Sequence, residues 1–133
     1  MAETFALLVA GSRTYNDYEE LCGILDHLLQ NVKLKYDIEI VNGGARGADS
    51  LASKYAEEHN YKNTVINADW NRYGKSAGYK RNVQMHEYIS QYANRACICF
   101  WDGQSNGTAH NFQLSKSYNT RLNVFDYKKK TFF

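Results

Sequence analysis

Six consecutive apolar residues, Phe5 to Ala10, stop abruptly at Gly11. A run this short and this uniformly apolar has the form of a strand covered on both faces, the situation of a central strand in a parallel sheet. The next stretch of chain has a different period. Asp17 precedes a segment in which Leu21, Ile24, Leu25, Leu28 and Leu29 recur at helical spacing, so a capped amphipathic helix is expected to run to about Asn31. A buried strand, a glycine and an amphipathic helix are the opening of an α/β fold.

The pattern then repeats along the chain. Ile38 to Val41 reads as a second strand, and Leu51, Ala52, Tyr55 and Ala56 form the buried stripe of a second helix. Thr64 to Ile66 is a short third strand. Asn67 to Lys80 has no clean period and is expected to be a loop, followed by a helix from about Gly78 to Tyr92 carrying Val83, Met85, His86 and Ile89. Ala96 to Trp101 is a fourth strand, Thr108 to Ser117 a further helix, and Leu122 to Phe125 a last strand. The expected fold is a single Rossmann-like, doubly wound domain over residues 1–133, with a mainly parallel sheet and helices on both faces.

In such a sheet the ligand crevice lies beyond the carboxyl ends of the strands, where the winding direction reverses. Three loops at those ends carry suitable chemistry. Gly11-Ser12-Arg13 offers a hydroxyl and a bidentate guanidinium at the place of a first phosphate loop. Gly43, Gly44, Ala45, Arg46 and Gly47 join the second strand to a helix whose first amides lack internal partners, and Asp49 sits in its first turn. These glycines and Asp49 fit an anion site, and they equally fit a plain βα turn with a capping carboxylate. Asp102 to Thr108 leads into another helix, with Ser105, Gly107 and Thr108 at its start and Asp102 placed to orient an arginine or accept from a ribose hydroxyl.

The loop from Asp69 to Asn82 adds flat rings and cations. Trp70 or Tyr73 suits the stacking of a base, and Arg72, Lys75, Lys80 and Arg81, beside Asn82, suit phosphate. An irregular connection anchored by a buried Trp70 is the alternative.

Composition narrows the function classes. A 44% hydrophobic and 23% charged chain with no apolar run long enough to span a bilayer, and no secretory n-region, is expected to be cytoplasmic and free of the membrane. Cys22, Cys97 and Cys99 lack metal-ligand spacing, so reduced thiols, no metal and no cofactor are expected. A net charge of +2 and a single lysine run, Lys128 to Lys130, read as a solvated tail, argue against nucleic-acid binding. A chain of 133 residues is expected to have no room for an output domain, which favours a free-standing binding module.

The motifs Gly11-Ser12-Arg13, Val41 to Asp49, Asp69-Trp70 with Tyr73 to Gly78, Arg81-Asn82 with Met85, and Phe100 to Gly103 with Ser105 and Gly107-Thr108 together resemble the YspA-like group of the SLOG superfamily. That superfamily is named for Smf, the DNA-processing protein A, and for the LOG ("Lonely Guy") phosphoribohydrolases. The resemblance implies a Rossmann-like pocket for a phosphate-bearing, nucleotide-derived ligand, and assembly as a homo-oligomer. By association it also implies a setting in phage or bacterial conflict.

The LOG enzymes pair the glutamate of a Gly-Gly-x-Gly-Thr-x-x-Glu motif with the arginine of an Arg-Lys-x-x-Met motif to cleave an N-glycosidic bond. Arg81 to Met85 is similar to the arginine motif, but Asn111 stands at the glutamate's place, and an amide neither takes nor gives the proton. The expected function is therefore sensing or sequestering a ligand such as ADP-ribose, a cyclic variant or another nucleotide signal. The alternatives are a phosphoribohydrolase, with Arg81 on the phosphate and Asp102, Asp69 or Asp49 supplying the carboxylate, and, less favoured, single-stranded DNA binding. His110, next to Asn111, is a further acid–base candidate, against the commoner role of a surface or capping residue.

Overall fold

The computed structural model describes residues 2–133. Strand β1 (Thr4–Gly11) carries the first apolar run, and its side chains divide by parity: Leu7 and Val9 enter one core, Ala6, Leu8 and Ala10 the other. The uniform hydrophobicity of the strand is thus the signature of two cores sharing one backbone.

The first core is closed by α1 (Tyr18–Leu29) and α2 (Ala48–Glu58), which press Leu21, Leu25, Leu29, Ala52, Tyr55 and Ala56 onto β1, β2 (Asp37–Asn42) and β4 (Asn94–Trp101). The second is closed by α4 (Ala77–Ser90) through Met85 and Ile89, with Phe112 of α5 (Asn106–Ser117) packed against it. Asp17 caps α1 by accepting from the Glu20 amide at 3.0 Å, as its position before the apolar stripe predicts.

With β3 (Lys62–Val65), β5 (Arg121–Asp126) and β6 (Thr131–Phe132) the sheet has the order β3-β2-β1-β4-β5-β6, parallel except for the antiparallel β5–β6 pair. The chain winds outward from β1 to β3, then returns to β4 on the other side of β1. The reversal therefore falls between β1 and β4. No helix is long and apolar enough to cross a membrane among the described residues.

Four expectations are corrected. The segment from Asn67 to Lys80 is not wholly a loop: Asp69 accepts from the Arg72 amide at 3.1 Å and starts the short helix α3 (Trp70–Tyr73), a 3-10 turn covers Gly74–Ser76, and α4 begins at Ala77. Lys128 to Lys130 is solvated as expected but is not a tail. Asp126 accepts from the amides of Lys128 and Lys129 at 3.0 and 3.1 Å and turns the chain into β6. The last two concern strand and helix ends: β3 covers Lys62–Val65 rather than Thr64 to Ile66, and α1 stops at Leu29, with a 3-10 turn at Val32–Leu34.

The loops at the reversal are held by close backbone contact. Gly47 has φ +79, and a Cβ there would press on the Ser12 carbonyl oxygen and lie 2.5 Å from the Arg13 carbonyl carbon. Gly74 has φ +55 with open space around it. Gly47→Ala is accordingly expected to destabilise the chain by about 3 kcal/mol or more, and Gly74→Ala by about 1 kcal/mol. Chemical denaturation of the two variants measures the difference, which vanishes if the loop at Gly47 yields freely.

Candidate functional site

A cavity of about 410 Å³ opens at the reversal, over the carboxyl ends of β1 and β4. Gly11 lets its walls converge: a Cβ there would stand 2.6 Å from the Phe100 carbonyl oxygen and 2.7 Å from Ala48 Cβ. The Ser12 amide donates to that Phe100 oxygen at 3.0 Å, and the Ser12 carbonyl receives the first amide of α2, Ala48, at 3.2 Å. Ser12 Oγ lies 2.9 Å from Thr14 Oγ1 and accepts from the Thr14 amide at 3.3 Å, so its hydroxyl shapes its own loop.

On the side of the second loop, Gly44 has φ +70 and its amide donates to Asn42 Oδ1 at 2.9 Å. The Ala45 amide donates to Asp49 Oδ2 at 3.2 Å. Asp49 is buried at the cavity wall, and its carboxyl is pushed up to about 6 by loss of solvent, against the opposing pull of Arg81, the Ala45 and Gly43 amides and Arg13. Arg81 donates from Nη1 to the Gly43 carbonyl at 2.6 Å and from Nε to Asn82 Oδ1 at 3.1 Å. Burial, and the like charge of Arg13, pull Arg81 downward, while Asp49 pulls the other way.

The third wall is the start of α5. Asp102 Oδ1 accepts from the amides of Gln104 and Ser105 at 2.9 and 2.7 Å. These bonds outweigh its partial desolvation and hold the carboxyl below the usual carboxylate range. Ser105 caps the helix by accepting from Thr108 N at 3.3 Å, and Asn82 Nδ2 donates to the Gly107 carbonyl at 3.2 Å.

Gly11, Ser12, Arg13, Ala45, Asp49, Trp70, Lys75, Arg81, Asn82, Asp102, Ser105, Gly107 and Thr108 thus surround one space. Gly43, Gly44 and Arg46 border an adjoining pocket. Gly47 lines neither, because it is spent on backbone contact with the first loop. Tyr73 also lines neither: its ring lies beneath the cations of Arg72 and Lys80, at 5.1 and 4.9 Å. The second exposed ring at the rim is Tyr79, which sequence reasoning passed over. Its position in the first turn of α4 depends on that helix beginning at Ala77. Trp70 is 49% exposed, so it is not a core anchor, and the Arg13 guanidinium sits 5.4 Å from its ring centre.

Asn111 faces the cavity but has few free valences. Its Nδ2 donates to the carbonyls of Gly107 and Thr108 at 3.4 and 3.3 Å, and its Oδ1 lies 3.0 Å from His86 Nε2, which therefore carries the hydrogen. His110 lies outside the lining and packs edge-on to Tyr79, and burial pulls its pKa down. Asp69, as the cap of α3, is outside it too. Among the described residues no group of His, Cys, Asp and Glu is arranged to hold a metal ion.

Fold and cavity define a doubly wound α/β domain with a cation-lined crevice at its switch point. Comparison with known proteins makes this more specific. Residues 5–73 match the model of the YspA, cpYpsA-related SLOG family. The Gene 61 protein of Mycobacterium phage D29 is 35% identical over 109 residues, covering 78% of this chain and 82% of that protein. The chain belongs to the YspA, cpYpsA-related SLOG family. In fold it is similar to the X-ray structure of TM1055 (TM-score 0.60, 17% identity, 89% of this chain and 72% of that one). It is likewise similar to the C-terminal domain of the PF1911 hydrogenase from Pyrococcus furiosus (TM-score 0.55, 14% identity, 93% and 92%).

Asp49 generates a pH prediction. Its carboxyl holds a proton up to about pH 6 when folded, against an ordinary value of 3.8, so between these limits the folded chain binds more protons than the unfolded one. Its contribution is therefore most favourable at low pH and is lost as pH rises through about 6. Asp49→Asn, whose amide oxygen still accepts from Ala45, is expected to match the parent chain near pH 4. It should exceed it by on the order of 3 kcal/mol above pH 7. Denaturation of both chains across that range measures this, and a constant difference contradicts it.

Proposed function

We propose that this chain binds a phosphate-bearing, nucleotide-derived small ligand in the crevice and holds it without turnover, as a sensor or sequestering protein. The observation that carries the reading is the charge of the lining. Arg13, Arg46 and Arg81 border the crevice, and none has a carboxylate within 4.0 Å among the described residues. Guanidiniums gathered in a cleft without ion-pair partners favour an anionic ligand. The exposed faces of Trp70 and Tyr79 add surfaces for a planar base.

Retention without turnover rests on the carboxylates and on Asn111. Asp102 is occupied with loop amides, Asp69 lies outside, and the Asn111 amide bridges His86 and the start of α5. Assembly as a homo-oligomer in the cytoplasm and a role in phage or bacterial conflict belong to the same proposal. The phage origin of a relative supports the latter.

One observation favours hydrolysis as a second reading: Asp49, buried at the cavity wall with its carboxyl near 6, has the proton affinity of a general acid–base at neutral pH. Thermal melting with AMP, ADP-ribose, NAD and cyclic nucleotides, followed by chromatography of the nucleotide, separates the two. A raised melting temperature with the nucleotide recovered intact is the expected result. Release of free base and ribose phosphate, lost in Asp49→Asn, would establish the enzyme instead. Trp70→Ala is expected to weaken binding of the stabilising nucleotide by roughly tenfold, the scale of one lost base–aromatic stack.

A further inference from the structure

The crevice has two lobes. Arg13, Ala45, Trp70 and Arg81 border both the main cavity and a second pocket of about 330 Å³, whose remaining boundary includes Gly43, Gly44, Arg46 and Asn67. Carboxylates separate the lobes chemically: the main cavity has Asp49 and Asp102 in its lining, whereas none borders the second pocket among the described residues.

The second pocket also concentrates the cations. Three arginines border a space smaller than the main cavity, and the guanidinium of one of them, Arg81, is held in place by its bond to the Gly43 carbonyl. The packing there is tight. A Cβ on Gly43 would stand 2.5 Å from Arg81 Nη1, so the glycine is what admits the guanidinium to the loop. The carboxylate that acts on Arg81 and Arg13, Asp49, stands in the lining of the main cavity and not of this lobe, and among the described residues no arginine of the lobe has a carboxylate within 4.0 Å. Positive charge in this lobe is therefore under-compensated, and bringing like charges together without a partner costs free energy that an anion would recover.

We infer that the second pocket is an anion subsite in its own right, so that the ligand carries two phosphoryl groups, with Arg46 grasping the second and Arg13 and Arg81 shared between them. This rests on the reading of the crevice as a nucleotide site and sharpens it: the chain discriminates a nucleoside diphosphate or diphosphate-linked nucleotide from a nucleoside monophosphate. Arg46 is the residue that separates the two lobes functionally. It borders only the second pocket, is at least partly exposed, and its removal takes no packing from either core.

Calorimetric titration of the full chain with AMP, ADP and ADP-ribose tests this. The parent chain is expected to bind ADP or ADP-ribose at least about tenfold more tightly than AMP, and Arg46→Ala to abolish that gain, bringing its affinities for ADP and AMP within about twofold of each other. Arg46→Lys keeps the charge without the planar fork and is expected to retain part of the gain. Equal affinity of the parent chain for AMP and ADP overturns the inference but leaves the nucleotide site standing. So does an Arg46→Ala variant that weakens both alike. Tighter binding of an oligodeoxythymidine than of ADP also overturns it, because the second lobe would then follow a strand. Failure of every mononucleotide and dinucleotide probe to bind overturns the underlying reading as well.

Discussion

The contact on which the site depends is the one between the two glycine-bearing loops at the ends of β1 and β2. Gly47 lies so close to the carbonyls of Ser12 and Arg13 that no side chain fits between them, and the Ala48 amide bonds across the gap to Ser12. The N-terminus of α2 is thereby fixed to the first loop, and the second loop is carried with it. Arg81 reaches across from α4 to the Gly43 carbonyl and Asn82 to the Gly107 carbonyl, so one helix ties the second loop to the start of α5. Three loops from different parts of the chain form one rim because the first two meet backbone to backbone and two adjacent side chains of α4 tie the second to the third.

That arrangement explains what is legible in the sequence. The apolar run of β1, the stripe of α1 and the glycines after β1 and β2 each follow from a local requirement, and they are sufficient to place the reversal of winding and the loops around it. The cap at Asp17 and the helix start at Ser105 are equally local. Features that depend on the third dimension escape such reasoning. Tyr73 and Tyr79 are six positions apart in a segment without a period, and the short helix started by Asp69 together with the start of α4 at Ala77 decides which of them reaches the rim. The lysine run resembles a tail because the carboxylate that turns it, Asp126, is disguised as the end of a strand. Glu39, inside an apolar strand, is buried because it accepts from Thr64 at 2.7 Å and from Tyr92 at 3.0 Å, and from Tyr88 as well.

The polar interior beneath the crevice carries a second lesson. Asn111 is fully engaged by His86 and by two carbonyls of α5. The surroundings suit an amide: it donates to the carbonyls, which a carboxylate cannot do, and accepts from the imidazole. Asn111 holds the helix start that Ser105 caps, so the position serves the geometry of the rim.

The stacking of Arg13 on Trp70 has a consequence for how any occupant enters. The guanidinium covers one face of the indole and acts as an internal placeholder. A planar ring that arrives without an anionic group must take the other face or compete with this resident cation, whereas one that brings a phosphate offers Arg13 an alternative partner and releases the aromatic surface. The two halves of such a molecule then assist each other through a single side chain. Bare nucleosides, lacking the group that draws Arg13 away, meet a surface that is partly taken.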